Sequence, residues 1–579
     1  MTKLILNCVP KVLCVVLLCS DLFAQTDQTL EWATYYGGAD SDFFQAAAKN
    51  PNGGYIIVGH SSSPSGMTTQ GSHQPGAGGG TGDGLIVSMN DDKSLNWSSY
   101  YGGNGYEIVT DVDVKENGEF VIAGLSNSTN QISTPDALIE LFPGGEPSFV
   151  ALFNENGQRI WGTYFGGTNE NPFVFTAIKG VQFDPEGNIV IAGDTQSAQL
   201  PVSEGAHQST YGGGLFDGFV AKLSVDGSLM WCTYFGGESR DQVADVVVLP
   251  SGDIVVSGQT QSLQGIASEN GYQTANGGGD WDAFIASFSS GGDLNWGTYF
   301  GGEGDETMSL NSKCMGEDGN GAIYIAGVTT SEEGIATEGA HSETLNHNAR
   351  RMIASFASDG SLLWGSYFGG AALGGGARAS FVQNQLIVFG SDNYGFDLVT
   401  GNPYQSSLNA TGNSVDLFVT GFTSSGAQLW GTYYGGSGSE IAHDIIDFAD
   451  GQIMVVGHTR SNNLPVTADS WQSELGNNLG LESGFLAIFE IDGLTSIEHN
   501  EELKLKAYPN PTTQHLWLDL PPSFAFHAEV NVYNSVGQLV QRHTQFSSHE
   551  PLSLQHPPGL YIVEARKGDN AVRAKVVVR

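Results

Sequence analysis

Apolar and polar residues alternate with a period of two through LEWATYY (30–36), and the alternation stops at a Gly-Gly pair. The same segment returns along the chain. The string W-x-[ST]-Y-[YF]-G-G occurs seven times, at Trp32, Trp97, Trp161, Trp231, Trp296, Trp364 and Trp430, with spacings of 65, 64, 70, 65, 68 and 66 residues. Such self-similarity at a near-fixed period outranks any single strand assignment. Three further runs follow in each unit. One resembles ADVVV (244–248), and the next is framed by glycine, as in GDIVVSG (252–258) or GQIMVVG (451–457). After a long loop comes a run such as DGFVAKL (217–223) or DAFIASF (282–288), and a turn such as VDGSL (225–229) leads to the next Trp segment. Short β-branched runs punctuated by Gly, Asn-Gly and Asp-Gly are hairpin signals, and no stretch keeps a helical period.

Four short antiparallel strands repeated seven times predict an all-β chain, a seven-bladed β-propeller with four-stranded blades. The array begins with a lone Trp strand (30–36) and ends with a lone fourth-type strand, FLAIFEIDG (485–493). Pairing the two closes the ring and removes the sheet edges that an open array leaves bare. An open β-solenoid is the alternative, and it leaves the complementary half-units unexplained.

Composition supports a packed array. Gly is 80 of 579 residues, yet 40% of residues are hydrophobic and 10% aromatic, enough to build cores. Residues 25–504 carry 13 Lys+Arg against 56 Asp+Glu, whereas 505–579 carry 7 against 5, within a total of −40. A body this acidic disfavours nucleic acid and anionic lipid and suits cations, basic partners or neutral glycans. The charge step marks a boundary: propeller over 25–495, linker over 496–504, and a separate domain over 505–579. At the N-terminus, Lys3 and Lys11 precede the apolar run VLCVVLLC (12–19), which is too short to span a bilayer and reads as a signal peptide cleaved after Ala24. A lipid-anchored reading through Cys19 is the alternative. Only Cys232 and Cys314 remain after cleavage, which is no disulfide framework; both are expected as buried or isolated thiols.

The units resemble the SBBP-type bacterial β-propeller repeat. The residues that carry the likeness are GDTQSAQLPVSEGAHQSTYGGGLFDGFVAKL (193–223) and GHTRSNNLPVTADSWQ (457–472). RMIASF (351–356) lacks the usual acidic start of its strand, and GSDNYGFDLV (390–399) lacks the Thr-x-Ser stretch. The resemblance implies fold and export and carries no single activity. The tail, with LKAYPNPTTQHLWLDL, VYNSVGQLV, PGLYIV (558–563) and KVVV (575–578), reads as a small Ig-like β-sandwich. It resembles the type A sorting domain of the type IX secretion system, which implies a bacterium of the Bacteroidota, Sec export, the type IX machinery as partner, and a secreted or cell-surface destination.

The metalloprotease, nucleophile-elbow, Walker A and EF-hand motifs are absent from the sequence. Five residues after the first glycine of each Gly-Gly pair stand Asp42, Glu107, Asp241, Glu306 and Glu440, with Asn171 and Gly374 in the other two units. A ring of carboxylates on one rim suits Ca²⁺ or a cationic ligand. The plainer reading is that each caps its own loop by accepting backbone N–H bonds, since a residue repeated from unit to unit serves the unit. A second set, Asp83, Asp217, Asp282 and Asp416, opens the fourth strand and reads as turn caps. The seven Trp residues read as inter-blade core. The variable loops carry Tyr211, Tyr272, Trp281 and Trp471, read as exposed. No cofactor is required, and no enzyme is expected. The expected role is binding or adhesion toward a glycan, matrix or protein ligand. The alternatives are a glycan-active enzyme with a site at the channel mouth and a purely structural surface component.

Overall fold

A computed structural model describes residues 27–494, apart from 169, 311–312, 346–350, 370–375, 396–397, 477–479 and 493, together with strand segments between 506 and 578. The signal peptide over 1–24, Gly374 and most of YPNP (508–511) lie outside the described residues, as does the side chain of Asn171. The chain divides into two compact units, 1–495 and 496–579. Among the described residues every regular element is a strand, and no helix is long and apolar enough to cross a membrane.

The first unit holds seven antiparallel sheets among its described residues. The fourth is representative: Asp241–Val248, Ile254–Thr260, Asp282–Phe288 and Leu294–Phe300 pair in sequence order. The first sheet opens at Asp42 and the second at Glu107. The third opens at Glu170 and gains a parallel fifth strand, Gly144–Glu146. In the fifth sheet the innermost strand is split into Glu306–Met308 and Met315–Glu317, both paired with Ile323–Thr329. The sixth opens at Ala377. The seventh runs Glu440–Ala449, Gln452–Thr459, Ser483–Ile491, and its outer strand is Gln28–Tyr36 from the other end of the chain. That strand pairs antiparallel with Ser483–Ile491, from Gln28↔Ile491 to Tyr36↔Gly484. The expected pairing of the two half-units is present, shifted two residues from the 485–493 read in the sequence.

Middle strands are buried on both faces, so that a run such as IVVSGQT is buried at every position rather than at alternate ones. The reason is face-to-face stacking. Each of seven apolar clusters draws on two consecutive sheets: Phe284, Val243 and Val256 of the fourth pack with Val190 and Phe235 of the third. Trp32, Met454 and Ile488 of the seventh pack with Phe44, Ile57 and Tyr100 of the first. The innermost strands touch their neighbours in a cycle that returns from Glu440–Ala449 to Asp42–Lys49.

The second unit has one three-stranded and one four-stranded sheet among its described residues, the latter ending in Gly559–Lys567 paired with Asn570–Val578. Leu516, Leu518, Val530, Val532, Val563 and Val576 form its apolar core.

Candidate functional site: the joints between sheets

Each repeated motif lies where the chain leaves one sheet and enters the next. At the joint after the fourth sheet, the N–H of Gly302 donates to Glu306 Oε2 at 2.9 Å, and the hydroxyls of Thr329 and Ser331 donate to Oε1 at 2.6 Å each. Asp42 accepts from Gly38 N–H (2.6 Å), Ser61 (2.5 Å) and Ser63 (2.9 Å). Glu107 accepts from Gly103 N–H (2.9 Å) and Ser126 (2.6 Å). Asp241 accepts from Gly237 N–H (2.7 Å), Ser262 (2.8 Å) and Thr260. Glu440 accepts from Gly436 N–H (3.0 Å) and Thr459 (2.6 Å). All five carboxylates are fully buried. This is loop-cap geometry: the acid fixes the Gly-Gly turn and ties it to the Thr-x-Ser segment of the sheet being entered. Among the described residues no group of three or more His, Cys, Asp or Glu is placed to hold a metal.

Spacing misassigns one position. In the third sheet Thr176 pairs with Thr195 as Asp241 pairs with Thr260, so Thr176, not Asn171, occupies the cap position. It lies in the longest of the six Trp-to-Trp spacings, the 70 residues from Trp161 to Trp231, and the longer loop displaces the register.

The second acidic set also caps. Asp83, Asp282 and Asp416 accept the N–H of Gly78 (3.1 Å), Gly277 (2.6 Å) and Asn409 (2.6 Å), and Asp217 accepts that of Gly212. Spacing alone hides the relation between the two sets. They face each other across the joint, one from each sheet, over the first glycine of Gly-Gly. A Cβ on Gly236 would lie 2.8 Å from Asp241 Oδ2 and 3.1 Å from Asp217 Oδ1, and one on Gly435 would lie 2.5 Å from both Asp416 Oδ1 and Glu440 Oε2. Gly102 and Gly301 are pinched likewise by Asp83 with Glu107 and by Asp282 with Glu306. The first glycine is therefore required by lack of space.

Burial foremost raises every one of these carboxyls, and the facing acid adds to it in Asp83, Asp217, Asp282 and Glu440. Asp217 and Asp282 reach about 7, and Asp83 and Asp241 about 6, against opposing N–H and hydroxyl bonds. Glu107, Glu306, Asp416 and Glu440 are raised for the same first reason.

Three joints depart from the pair. Ser483 faces Asp42 over Gly37. Ser148 occupies the Asp position before Thr176 and donates to its carbonyl at 3.0 Å. Arg351, the residue that breaks the acidic start, is buried; it donates to the Ser391 carbonyl at 3.0 Å and stacks 4.5 Å over Phe418.

The axis carries a feature that only the structure reveals. Asp111, Asp245 and Asp444 on innermost strands accept backbone N–H groups of the next sheet, at Val181 (2.8 Å), Cys314 (2.9 Å) and Ala47 (3.1 Å). Lys313 reaches across from the fifth sheet, with Nζ 2.9 Å from Asp111 and 4.0 Å from Asp245. Burial opposes its charge, yet Asp111, Asp245 and Asp444 together hold its pKa above the usual lysine value. Lys313 separates two axial cavities. One of about 330 Å³ is lined by Gln45, Thr110, Lys179 and His443, and the other of about 320 Å³ by Lys49, Asp113, Gln182 and Asp447. In the sequence Lys313 sits in an irregular stretch with no repeat signal.

The motif aromatics are structural. Trp32 and Trp430 are buried, and Trp161, Trp231 and Trp364 are half-buried. Each of those three donates its indole N–H to a hairpin carbonyl of the next sheet, at Val225 (2.9 Å), Ser290 (3.1 Å) and Ser424 (2.8 Å). Trp471, expected exposed, is half-buried: it meets Trp32 edge-on at 5.3 Å and donates to the Lys93 carbonyl at 2.7 Å, doing for the closing joint what Trp161 does for its own. Tyr211 and Trp281 are half-buried too, Tyr211 edge-on to Tyr234 and Trp281 beneath the Arg240 guanidinium. Tyr272 is 50% exposed, as expected. Cys232 and Cys314 are buried and free.

Residues 506–579 match the family described as the secretion system C-terminal sorting domain. The tail is similar to a secretion sorting signal. It indicates type IX secretion and a cell-surface or secreted destination for the chain that bears it. No curated protein matches the sequence. Among solved structures, a protein of unknown function from Dyadobacter fermentans is similar at 10% identity and TM-score 0.35, over 80% of this chain and 99% of that one. A DUF4221-family member from Bacteroides vulgatus gives 10% and 0.30 over 81% and 98%. The GH74 xyloglucanase from Xanthomonas campestris gives 10% and 0.36 over 95% and 68%.

Proposed function

We propose that the chain is a seven-bladed, SBBP-type β-propeller, closed by its own first and last strands and exported through the type IX machinery, which acts as a binding or adhesion module at the cell surface. The observation that carries the binding role is a division of labour among side chains. The repeated polar groups are consumed within the joints, whereas the exposed apolar groups of the connecting loops follow no repeat: Leu141 (79% exposed), Leu215 (53%), Leu263 (64%) and Tyr272 (50%). Variable loops on a rigid scaffold are where recognition resides. The ligand class is a neutral glycan or a surface protein, consistent with a body of strongly negative charge. A glycan-active enzyme at the axial mouth is the competing reading. It needs two carboxylates free to exchange protons with a sugar, whereas Asp111 and Asp245 are held by Lys313 and backbone N–H groups.

The test is a glycan and surface-protein array probed with the secreted chain and with Leu263→Asp/Tyr272→Ala. Binding that the double variant loses at unchanged melting temperature supports the reading. Release of reducing sugar from any arrayed glycan, lost on Asp111→Asn, moves the assignment to an enzyme.

A further inference from the structure

Three of the facing acid pairs contain a buried oxygen that nothing satisfies. Oδ1 of Asp217, of Asp282 and of Asp416 has no hydrogen-bond partner, and all three residues are fully buried. Each such oxygen and one oxygen of the facing carboxylate lie within 3.2 Å of the point that a Cβ on the first glycine of the joint would occupy. On the other side, Glu306 Oε2 accepts the N–H of Gly302 and Glu440 Oε2 that of Gly436, which leaves room for one more donor on each. Two adjacent ionised carboxylates with an unsatisfied oxygen between them are unfavourable on both counts. A single proton resolves both: it removes one charge and turns the orphan oxygen into a donor.

We propose that each of the pairs Asp217/Asp241, Asp282/Glu306 and Asp416/Glu440 holds one shared proton in the folded protein at neutral pH, so that the joints form a set of proton-binding sites that tighten the ring on acidification. At the closing joint Ser483 Oγ occupies the place of the Asp over Gly37 and, like the three Asp oxygens, has no hydrogen-bond partner. A metal ion fits the joints poorly. Ca²⁺ asks for six to eight oxygen ligands, and these carboxylates are ringed by N–H and O–H donors that a cation would repel.

No cation is among the causes that shift these carboxyls, and Arg240, next to Asp241 in the chain, stacks on Phe216 and Trp281. Asp217 and Asp241 are faced by Tyr211, Tyr299 and Glu238, and Asp282 and Glu306 by Asp305, Tyr299 and Tyr367. Asp416 and Glu440 are faced by Asp392, Tyr433, Tyr35 and Tyr434; Arg351 acts on Asp392 and Tyr433. The folded values of Asp217 and Asp282, about 7, exceed the unfolded carboxyl value of about 4. The folded state therefore keeps protons that the unfolded state releases. The stabilisation is full below about pH 4 and is lost as pH rises through about 7.

The experiment uses the full chain, wild type beside Asp217→Asn/Asp282→Asn/Asp416→Asn and the three single variants, since an amide N–H₂ donates without titrating. At pH 7 the wild-type infrared spectrum should show the carbonyl stretch of protonated carboxyl groups, sensitive to D₂O and diminished in each single variant. Between about pH 5 and about pH 7 the wild-type folding constant should fall up to about tenfold per pH unit for each retained proton, and the variants should show a shallower slope. No protonated-carboxyl band at pH 7, or equal slopes in wild type and variants, overturns the proposal. So does a millimolar Ca²⁺ shift in melting temperature that Mg²⁺ does not match and that removes the band, because the joint would then hold a cation.

Discussion

In the fourth sheet the outer strand Leu294–Phe300 follows its neighbour Asp282–Phe288 through a short turn, whereas in the seventh the outer strand is brought in from the far end of the chain. The contacts are nevertheless nearly the same. Gln273 N–H donates to Thr298 Oγ1 at 2.8 Å, and Gln472 N–H donates to Thr34 Oγ1 at 2.9 Å across 438 residues. Tyr299 donates its hydroxyl to the Ser262 carbonyl at 3.0 Å, and Tyr35 donates to that of Ser461 at 2.8 Å. Both outer strands carry the same bulge beside the Trp. Local geometry is thus specified by the unit's own residues and not by the covalent turn. What differs is entropy: the fourth sheet closes a short loop and the seventh must close the whole array, which carries the larger closure cost. The two also differ in polarity, Asp282 facing Glu306 in one and Ser483 facing Asp42 in the other.

The sharpest way to break the equivalence is to remove the strand that has no covalent neighbour. Deleting residues 27–37 exposes the edge of Ser483–Ile491 with Phe485 and Phe489 and should cost more than about 5 kcal/mol, most of the net stability of an ordinary domain. Size-exclusion chromatography should then show self-association and calorimetry a broadened melt. A sharp melt within a few degrees of wild type would mean that the ring does not depend on closure. Next in size is Trp32→Ala, which empties a fully buried site and should cost about 3–5 kcal/mol in denaturant unfolding, against less than half of that for the half-buried Trp231→Ala. Equal losses would show that the closing joint is packed no more tightly than the others.

Ser483→Asp converts the closing joint to the acid pair of the fourth. It should be nearly neutral at about pH 5 and destabilise by about 1–3 kcal/mol at about pH 8, because the added carboxyl must stay protonated when folded. A variant equally stable at both pH values would show that the joint tolerates two ionised acids. The smallest effect is expected from a circular permutant that links 494 to 27 and opens the chain at the Gly291–Gly292 turn. It should fold with a melting temperature within a few degrees of wild type, since the closing contacts are only moved to another sheet.

The Trp strands, the Gly-Gly stops and the complementary ends were legible in sequence because each is a local pattern repeated at near-constant spacing. The carboxylate positions were legible for the same reason, and the capping reading matches the bonds that Asp42, Glu107, Asp241, Glu306 and Glu440 make. Three things were hidden. The two acidic sets belong to different units, so nothing in the spacing within a unit announces that Asp217 and Asp241 face each other. Thr176 was masked by a loop that slips the register by five residues. Trp471 looked like a loop aromatic because the partner it packs on, Trp32, lies at the other end of the chain.

Lys313 gives the array an orientation. A ring of near-identical units would present a visitor on its axis with seven interchangeable poses, and occupancy would be smeared over all of them. One ammonium reaching from a single sheet, with Lys179 and His443 set unevenly around the same well, leaves each rotational setting with different walls. The molecule has a fixed noon on its dial, and its seven rotational settings are not equivalent.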